Sequence, residues 1–506
     1  MNILIIALIL ATVIIGAILL HYLRQPGWQE LYDQADKLYE QKNFVQGLVV
    51  AQKALELLEK ERNPNQQSMS ATLSLLGLLH REVGKFAEAE SLYQRSLDIA
   101  EKVQPQNNPG IAENLSRLAE LYQTQNKPEQ AKPLLKRSLA IVEKELDPDN
   151  INLVHSLNSL ADLYHAQEQY SLAEPLYFRA LEIQEKHLDS HHPDVAKTKH
   201  KLAETYHYQG MLAKAEPLYN ESMEAWETNF GPEHPEVATS LNNMAILSQA
   251  KGRSQKALRL YKRSLTIREK TLGPEHPDVA TSLGNMASLY QREGKYAEAE
   301  PLQEHALAIL EKAFGLENPR VTASMNKLAD IYQQQGKYEK AEQLYKRALT
   351  IKEEMLGQEN LELAANLDTV AALCLKQRDF VQATSLYKRA LAIREDAFGN
   401  SHPEVADSLD NLARLHRDKG EKAQAEQLMQ RALKIREVTL GPDHPAVATS
   451  LQALGQLYHA QGQFEKAIPL YEQAVALQEK SFGAENPTVA ANRATLEKLR
   501  IAIKTG

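Results

Sequence analysis

The chain has 506 residues, and its 66 acidic against 58 basic side chains give a formal net charge of −8 at pH 7. This balance argues against nonspecific nucleic-acid binding, which needs a concentrated cationic face. The single cysteine, Cys374, excludes an internal disulfide. Aromatic residues make up only 6 % of the chain, so we expect a core built from alanine and leucine rather than from large rings.

The N-terminal segment is predicted to be a membrane anchor. Residues 3–20 carry no charge, and a helix from Ile3 to Leu23 reaches the ~30 Å of a hydrocarbon core. A cleaved signal peptide is the alternative, but a basic start, a shorter apolar stretch and a small-x-small cleavage site are not evident. We therefore expect residues 1–24 to form a single-pass transmembrane anchor that meets the membrane through residues 3–23.

The orientation of this anchor is predicted from the nearby cations. No Lys or Arg precedes the segment, whereas Arg24 and Lys37 follow it, and the cytoplasmic flank of a membrane helix carries the excess of cations. We therefore expect the rest of the chain to lie in the cytoplasm. The alternative is an exported chain, periplasmic or secreted, that acts on envelope partners.

Residues 25–486 are predicted to consist of eleven repeats of 42 residues without insertion or deletion. The pattern is clearest at Gly273-Pro274-Glu275-His276-Pro277, and each step of 42 residues returns to the same place in it. The positions reached in this way are Pro109, Ile151, Pro193, Pro235, Pro277, Pro319, Leu361, Pro403, Pro445 and Pro487. A unit of this kind cannot bury its apolar face alone, so we expect the units to stack into a solenoid.

Two positions in the repeat admit only small side chains, which indicates two closely packed helices per repeat. The first is alanine or glycine in every repeat, as at Ala287, and so is the second, twelve residues later, as at Ala299. A bulky side chain at either position would push the helix axes beyond the ~8–10 Å of good packing. Larger apolar residues at helical spacing surround both positions, so each helix is predicted to bury one stripe.

The residue before the proline is predicted to cap the helix that begins there. Imidazole and amide groups can both accept a backbone N–H, and a proline is preferred in the first helical turn. The capping residues are His192, His234, His276, Asn318, His402, His444 and Asn486. Repeated histidines also suggest a ladder of metal sites, but neighbours one repeat apart should lie roughly 10 Å from each other, too far to share an ion. We therefore predict no metal site.

The last segment, residues 487–506, is predicted to be one further helix. Its apolar residues Val489, Leu496 and Ile501 are spaced to cover the exposed face of the last repeat. We expect this helix to cap the stack.

The repeat resembles the tetratricopeptide repeat in the spaced series Leu283, Met286-Ala287, Tyr290, Gly294 and Ala299. That repeat usually has about 34 residues, and the longer form with LNNMA, LYKRAL and GPEHP elements looks like the repeats of kinesin light chains and their bacterial relatives. The resemblance implies an all-α fold, a right-handed α-solenoid of stacked antiparallel helix pairs. It also implies that the first helix of each pair lines a concave surface.

Catalytic signatures do not stand out. The sequence has no Gly-rich phosphate loop, His-Glu-x-x-His, Cys-x-x-Cys or Gly-x-Ser-x-Gly motif. We therefore expect no enzymatic activity, no cofactor and no small-molecule substrate, and we expect the partners to be proteins or peptides.

The candidate peptide-binding residues are amides and cations of the predicted first helices. They are Asn242, Asn243 and Gln249 in the repeat that begins at Pro235, and Asn285, Gln291, Arg292, Asn326, Lys327 and Gln333 in the next two repeats. Amide side chains both donate and accept, so a ladder of them can pair with the backbone of an extended peptide. The alternative is that these amides are ordinary solvent-exposed helix residues.

Four histidines, His155, His165, His200 and His207, fall on the same predicted face just upstream of this ladder. Because histidine titrates nearest to neutral pH, such a cluster would make ligand affinity depend on pH. Unrelated exposed histidines are the alternative.

These features favour a membrane-anchored, non-enzymatic scaffold or adaptor that binds peptide segments or assembles protein complexes through a concave groove. The alternatives are the exported solenoid and a structural element that self-associates.

Overall fold

The computed structural model describes residues 26–103, 109–483 and 485–505. In this part of the chain the protein forms 23 α-helices and no strand, so the all-α prediction is confirmed. In chain order the helices are α1 (Trp28–Glu40), α2 (Phe44–Lys60), α3 (Gln66–Glu82), α4 (Phe86–Val103), α5 (Pro109–Thr124), α6 (Pro128–Glu145), α7 (Leu153–Ala166), α8 (Tyr170–His187), α9 (Pro193–Tyr208), α10 (Leu212–Phe230), α11 (Pro235–Ala250), α12 (Ser254–Leu272), α13 (Pro277–Arg292), α14 (Tyr296–Phe314), α15 (Pro319–Gln334), α16 (Tyr338–Leu356), α17 (Leu363–Lys376), α18 (Phe380–Phe398), α19 (Pro403–Asp418), α20 (Lys422–Leu440), α21 (Pro445–Ala460), α22 (Phe464–Phe482) and α23 (Pro487–Thr505).

The helices alternate between two kinds. The odd-numbered helices α1 to α21 are the first helices of the repeats, and the even-numbered helices are the second helices. Apart from α12, each second helix packs most extensively on the first helix that precedes it and also packs on the next helix along the chain. This sequential packing is what a stack of two-helix repeats requires.

The predicted caps are confirmed at the starts of the first helices. The Nδ1 atom of His276 accepts the backbone N–H of Asp278 at 3.2 Å, and Asn318 Oδ1 accepts the N–H of Arg320 at 2.9 Å. In two repeats the capping ring also stacks on an aromatic side chain at the end of the preceding helix, with 4.3 Å between the ring centroids of Phe398 and His402. The histidines therefore fix helix starts, as the sequence predicted.

The small residues lie at the closest helix contacts. Ala287 of α13 and Ala299 of α14 are both fully buried, and they share a cluster with Ile331 of α15. In the second repeat the small position is Gly77, where a Cβ atom would lie 2.8 Å from the ring of Tyr93. That separation is shorter than van der Waals contact, so the close approach of the two helices depends on these small residues.

The chain divides into two compact units, the first ending at Leu260 and the second beginning at Tyr261. The largest core cluster of the first unit extends from Leu97 to Leu247, and that of the second from Val279 to Leu415. The largest cluster of each unit is therefore built across several repeats.

Within each unit, successive first helices approach each other. This holds for α1 with α3, α3 with α5, α5 with α7 and α9 with α11 in the first unit, and for α17 with α19 in the second. Successive second helices among the described residues do not approach to the same extent. We call the surface formed by the first helices the inner face of each unit.

The predicted transmembrane helix and the predicted membrane localisation are wrong, because the structure contradicts them. None of the described helices is both long enough and apolar enough to cross a bilayer. The first helices have at most 17 residues, and the helices of 18 or 19 residues carry many charges, as in YEKAEQLYKRALTIKEEML of α16. The segment 3–23, on which the prediction rested, lies outside the described residues.

The C-terminal helix α23 packs on the last repeat through two leucines. Leu496 and Leu499 are buried in one cluster with Tyr458 and Tyr471. Ile501, which the sequence placed in this contact, is 54 % exposed. Leu499 takes its place because the helix presents positions 496 and 499, three residues apart, to the same neighbour.

Candidate binding surface

The inner face of the first unit places Asn242, Asn243 and Gln249 of α11 differently from the prediction. Asn242 is only 5 % exposed, so its amide lies inside the stack and not on the surface. Asn243 and Gln249 are half-buried. The amides therefore do not form one open ladder in this helix.

Asn243 belongs to a polar network with the preceding first helix, α9. Its Nδ2 atom donates to Glu204 Oε1 at 2.9 Å and lies 3.1 Å from His200 Nε2. Lys201 donates to the same carboxylate group, with 2.9 Å from its Nζ to Glu204 Oε2. Burial disfavours the charged form of Glu204, but its contacts with His200 and Lys201 outweigh burial and lower the pKa of this carboxyl below its usual range. Asn243 thus links two repeats.

In the second unit the structure brings two of the predicted residues together. Asn285 of α13 and Lys327 of α15 line one groove between successive first helices. Arg292 is exposed, and Gln291 and Gln333 are half-buried. Asn326 is half-buried as well, and its Oδ1 atom is inaccessible and has no hydrogen-bond partner in the described part of the chain.

The four histidines do not form one cluster. His200 is 5 % exposed and packs against the rings of Tyr219 and Trp226, with centroid distances of 5.2 and 5.1 Å. His165 lies edge-on to Tyr170 and Tyr208, which stack on each other at 5.1 Å.

Burial lowers the pKa of both His165 and His207, so these imidazoles favour the neutral form. His155, by contrast, is exposed, and its Nε2 atom is 3.7 Å from Glu120 Oε1.

Two grooves on the inner face of the first unit were not predicted. One has a volume of about 550 Å³ and lies between α7, α8 and α9, and the other has about 600 Å³ and lies between α3, α5 and α7. Glu120 and His155 line both grooves, so the two form one continuous surface. The sequence did contain a signal, because Arg117 and Lys201, which line these grooves, occupy the same position of the repeat as Asn243, Asn285 and Lys327.

Several charged groups of these grooves are held by hydrogen bonds to other side chains. Arg81 Nη1 donates to Glu120 Oε2 at 2.7 Å, and Arg117 donates to Ser74 Oγ at 2.7 Å and to Glu113 at 2.5 Å. Burial disfavours the charged Arg81 guanidinium, but its bonds to Glu82 and Glu120 outweigh burial and raise its pKa. The surface therefore presents fixed charges of both signs together with hydroxyl and amide groups.

Metal-binding and nucleophilic groups are not assembled on the described part of the chain. No group of three or more His, Cys, Asp or Glu side chains there has an arrangement that would hold a metal ion. Cys374 is buried in α17, and burial raises the pKa of its thiol to about 11. A thiol with this pKa is protonated at neutral pH and is a poor nucleophile.

Comparison with known proteins confirms the resemblance drawn from the repeats. The family model of the tetratricopeptide repeat matches residues 30–102, 110–186, 194–270, 242–311, 278–354, 362–437 and 423–480. No curated protein matches the sequence.

Solved structures similar to this chain include kinesin-light-chain-like repeat proteins. A protein of Podosopora anserina with nearly identical kinesin light chain TPR-like repeats is 26 % identical, with a TM-score of 0.38, and the match covers 42 % of this chain and 99 % of that one. BtubC (BKLC) from P. vanneervenii is 26 % identical, with a TM-score of 0.37 and coverage of 48 % and 92 %. The apo form of RapI is 15 % identical, with a TM-score of 0.46 and coverage of 56 % and 98 %. Because the family model matches most of the sequence, the chain belongs to the tetratricopeptide-repeat family.

Proposed function

We propose that the protein is a non-enzymatic scaffold that binds a peptide segment of a partner protein along the inner face of its first unit. The observation that carries this proposal is the pair of grooves of about 550 and 600 Å³ that share Glu120 and His155. Two connected grooves between successive first helices offer an elongated site, and an extended peptide is an elongated ligand.

The side chains of these grooves match the chemistry of a peptide backbone. The groups present include the amide of Asn158, the hydroxyl of Ser159 and the carboxylate of Asp194. A peptide offers an N–H donor and a C=O acceptor at each residue, and these groups need partners when they leave water. Groups that donate and groups that accept are both present, so the surface can pair with both sides of a backbone.

Two carboxylates of this surface are already bonded to other side chains, which disfavours their use as an acid or a base. Asp162 accepts a hydrogen bond from the hydroxyl of Tyr177, and Glu120 pairs with Arg81 at 2.7 Å. A general base must be able to reach a substrate proton, and these carboxylates are committed to protein partners. Their role in the proposal is to shape the groove and to set its charge.

Site-specific photocrosslinking tests the proposal. A photoreactive amino acid at His155, which is exposed at the junction of the two grooves, should crosslink to a specific partner in cell extract. The matched control places the same amino acid at Lys136, an exposed residue of the second helix α6. We expect crosslinks from position 155 and not from position 136.

An excess of one of the partner's own peptides, added before irradiation, should suppress this crosslink. Equal crosslinking from both positions would place the partner elsewhere, and crosslinking only between copies of this chain would favour self-association over peptide binding.

A further inference from the structure

One repeat of the second unit departs from the others at two positions. Gly284 of α13 stands where the other repeats from the second to the last carry a polar side chain, namely Ser74, Ser116, Asn158, His200, Asn242, Asn326, Asp368, Asp410 and Gln452. Gln303 of α14 stands where the same repeats bury an aromatic ring or a large apolar side chain, namely Tyr93, Leu135, Tyr177, Tyr219, Tyr261, Tyr345, Tyr387, Met429 and Tyr471. Both departures fall in the repeat 277–318.

The two departures open a groove of about 200 Å³ between α13, α14 and α15, which we call the Gly284 groove. Its lining includes Thr281, Gly284, Gln303, Leu310, Arg320 and Lys327. A Cβ atom built on Gly284 would lie 3.5 Å from Gln303 Oε1, so the missing side chain is what leaves this oxygen facing the groove.

Gln303 presents an acceptor without a donor. The residue is only 2 % exposed, and its Nε2 atom donates to the backbone carbonyl of Ser324 at 3.2 Å and to Ser324 Oγ at 2.8 Å. The bond to a carbonyl fixes which end of the amide is the N–H group, because a carbonyl only accepts. No donor among the described residues is bonded to Oε1, and because this oxygen faces the groove it can accept a hydrogen bond from a ligand.

The rim of the Gly284 groove carries two cations, Arg320 and Lys327. They lie seven residues apart on α15, both are exposed, and neither has a carboxylate partner in the described part of the chain. Arg320 is held with its guanidinium carbon 5.5 Å from the ring centroid of Phe314. These charges repel an ammonium or guanidinium ligand and attract an acceptor.

We propose that the Gly284 groove binds a primary-amide side chain, glutamine or asparagine, of a peptide held by the inner face of the second unit. The amide N–H would donate to Gln303 Oε1, and the amide oxygen would accept from Lys327 or Arg320 at the rim. The aliphatic stem packs against Ala306 and Leu310, which line the same groove. A carboxylate offers Oε1 no donor, and a cationic side chain meets like charge, so the primary amide satisfies both ends of the site. This inference rests on the proposed peptide-binding function.

Selection of peptides tests the inference on the full-length chain. Short random peptides displayed on phage are selected against the parent, against Gly284→Asn and against Ala365→Asn. Gly284→Asn fills the groove with the side chain that the repeats before and after carry at this position. Ala365→Asn is the matched control, because it places the same side chain on an exposed position of α17, a first helix that does not line the Gly284 groove.

We expect peptides selected on the parent and on Ala365→Asn to share Gln or Asn at one aligned position, and peptides selected on Gly284→Asn to lack this preference. The parent-selected peptides should bind Gly284→Asn at least about tenfold more weakly, because the asparagine side chain blocks the hydrogen bond between the ligand amide and Gln303 Oε1. A thermal melt verifies that the variant folds. If Gly284→Asn melts early, Gly284→Ala replaces it, since a Cβ atom makes only ordinary contact there.

Two outcomes overturn the inference, and they differ in whether the proposed peptide-binding function is also contradicted. Enrichment of peptides with no aligned amide, or with an amide preference that survives in Gly284→Asn, removes the inference and leaves the proposed peptide-binding function in place. The absence of any enriched peptide on all three proteins removes both.

Discussion

Arg389 of α18 donates to the carboxylate of Glu353 on α16, one repeat earlier, at 2.5 Å. The two residues are 36 positions apart, and the same separation joins Arg95 to Glu59, Arg137 to Glu101, Arg179 to Glu143, Arg347 to Glu311 and Arg431 to Glu395. Because the repeat never changes length, the same ion pair recurs at these six places between successive second helices.

The first prediction concerns the strength of these ion pairs. A double-mutant cycle on Arg389→Ala and Glu353→Ala should give a coupling energy of only about 0.2–1 kcal/mol, since pairs near the surface gain little in water. The coupling should shrink further in about 1 M salt, where charges are screened within ~3 Å. Urea denaturation of the parent, the two single variants and the double variant, at low salt and at about 1 M salt, measures this coupling energy. A coupling of several kcal/mol would mean that the ladder, rather than the core, holds the second helices together.

The second prediction concerns Asn243, which the sequence alone placed on the binding surface. Asn243→Ala should lower the free energy of unfolding by about 1–3 kcal/mol, because Glu204 loses a donor in a part-buried site. Lys327→Ala is the matched control: it changes the same position of the repeat at an exposed site, where the effect should stay within about 0.5 kcal/mol. Equal melting temperatures for the parent and Asn243→Ala would contradict the structural role.

The third prediction concerns the acid stability that Glu204 contributes. Its pKa is lowered in the folded protein, so its contribution is present above the unfolded pKa of about 4.3 and is lost as the pH falls through the lower folded value. Glu204→Gln should therefore be less stable than the parent at pH 7, and the difference should narrow below about pH 4. Thermal melts between neutral and acidic pH compare the two proteins. Parallel stability curves would show that Glu204 is not linked to folding.

The fourth prediction tests the close helix contact. Ala287 is fully buried against Ala299 and Ile331, so Ala287→Leu should cost about 1–3 kcal/mol or more through overpacking. Ala365→Leu adds the same atoms at an exposed site of a first helix and should change stability by no more than about 0.5 kcal/mol. Chemical denaturation ranks the variants. The contact is looser than described if both leucines are tolerated equally.

The fifth prediction tests the C-terminal helix. Leu496 is 7 % exposed and packs in the cluster of Tyr458 and Tyr471, so Leu496→Ala should destabilise the protein by about 2 kcal/mol or more. Ile501→Ala, at a residue that is 54 % exposed, should have a much smaller effect. The same melting temperature for both variants would mean that α23 does not protect the last repeat.

Most of the fold could be predicted from local chemistry repeated along the chain. The proline at 277 and its equivalents set the helix starts, His276 caps one of them, and Ala287 and Ala299 mark where two helices touch. Each of these features depends on neighbours within one repeat. The 42-residue period therefore predicts them for the other repeats, even when the packing of the repeats on each other is not known. The departures at Gly284 and Gln303 are likewise visible as breaks in the period.

The surface depended on contacts between repeats, which the period does not specify. Helical spacing placed Asn242 and Asn243 outside the apolar stripe, yet Asn242 is buried in the structure, and Asn243 bonds back to Glu204 on the preceding first helix. The grooves at Glu120 and His155 exist because side chains from different helices leave space between them. Gln303 Oε1 faces a groove because Ser324 of the following helix accepts the hydrogen bond from the N–H end of the same amide. The sequence by itself determined the helices and their order. Only the tertiary structure decided which polar groups are hydrogen-bonded within the stack and which remain available to a partner, because hydrogen bonds across repeats join residues about 40 positions apart.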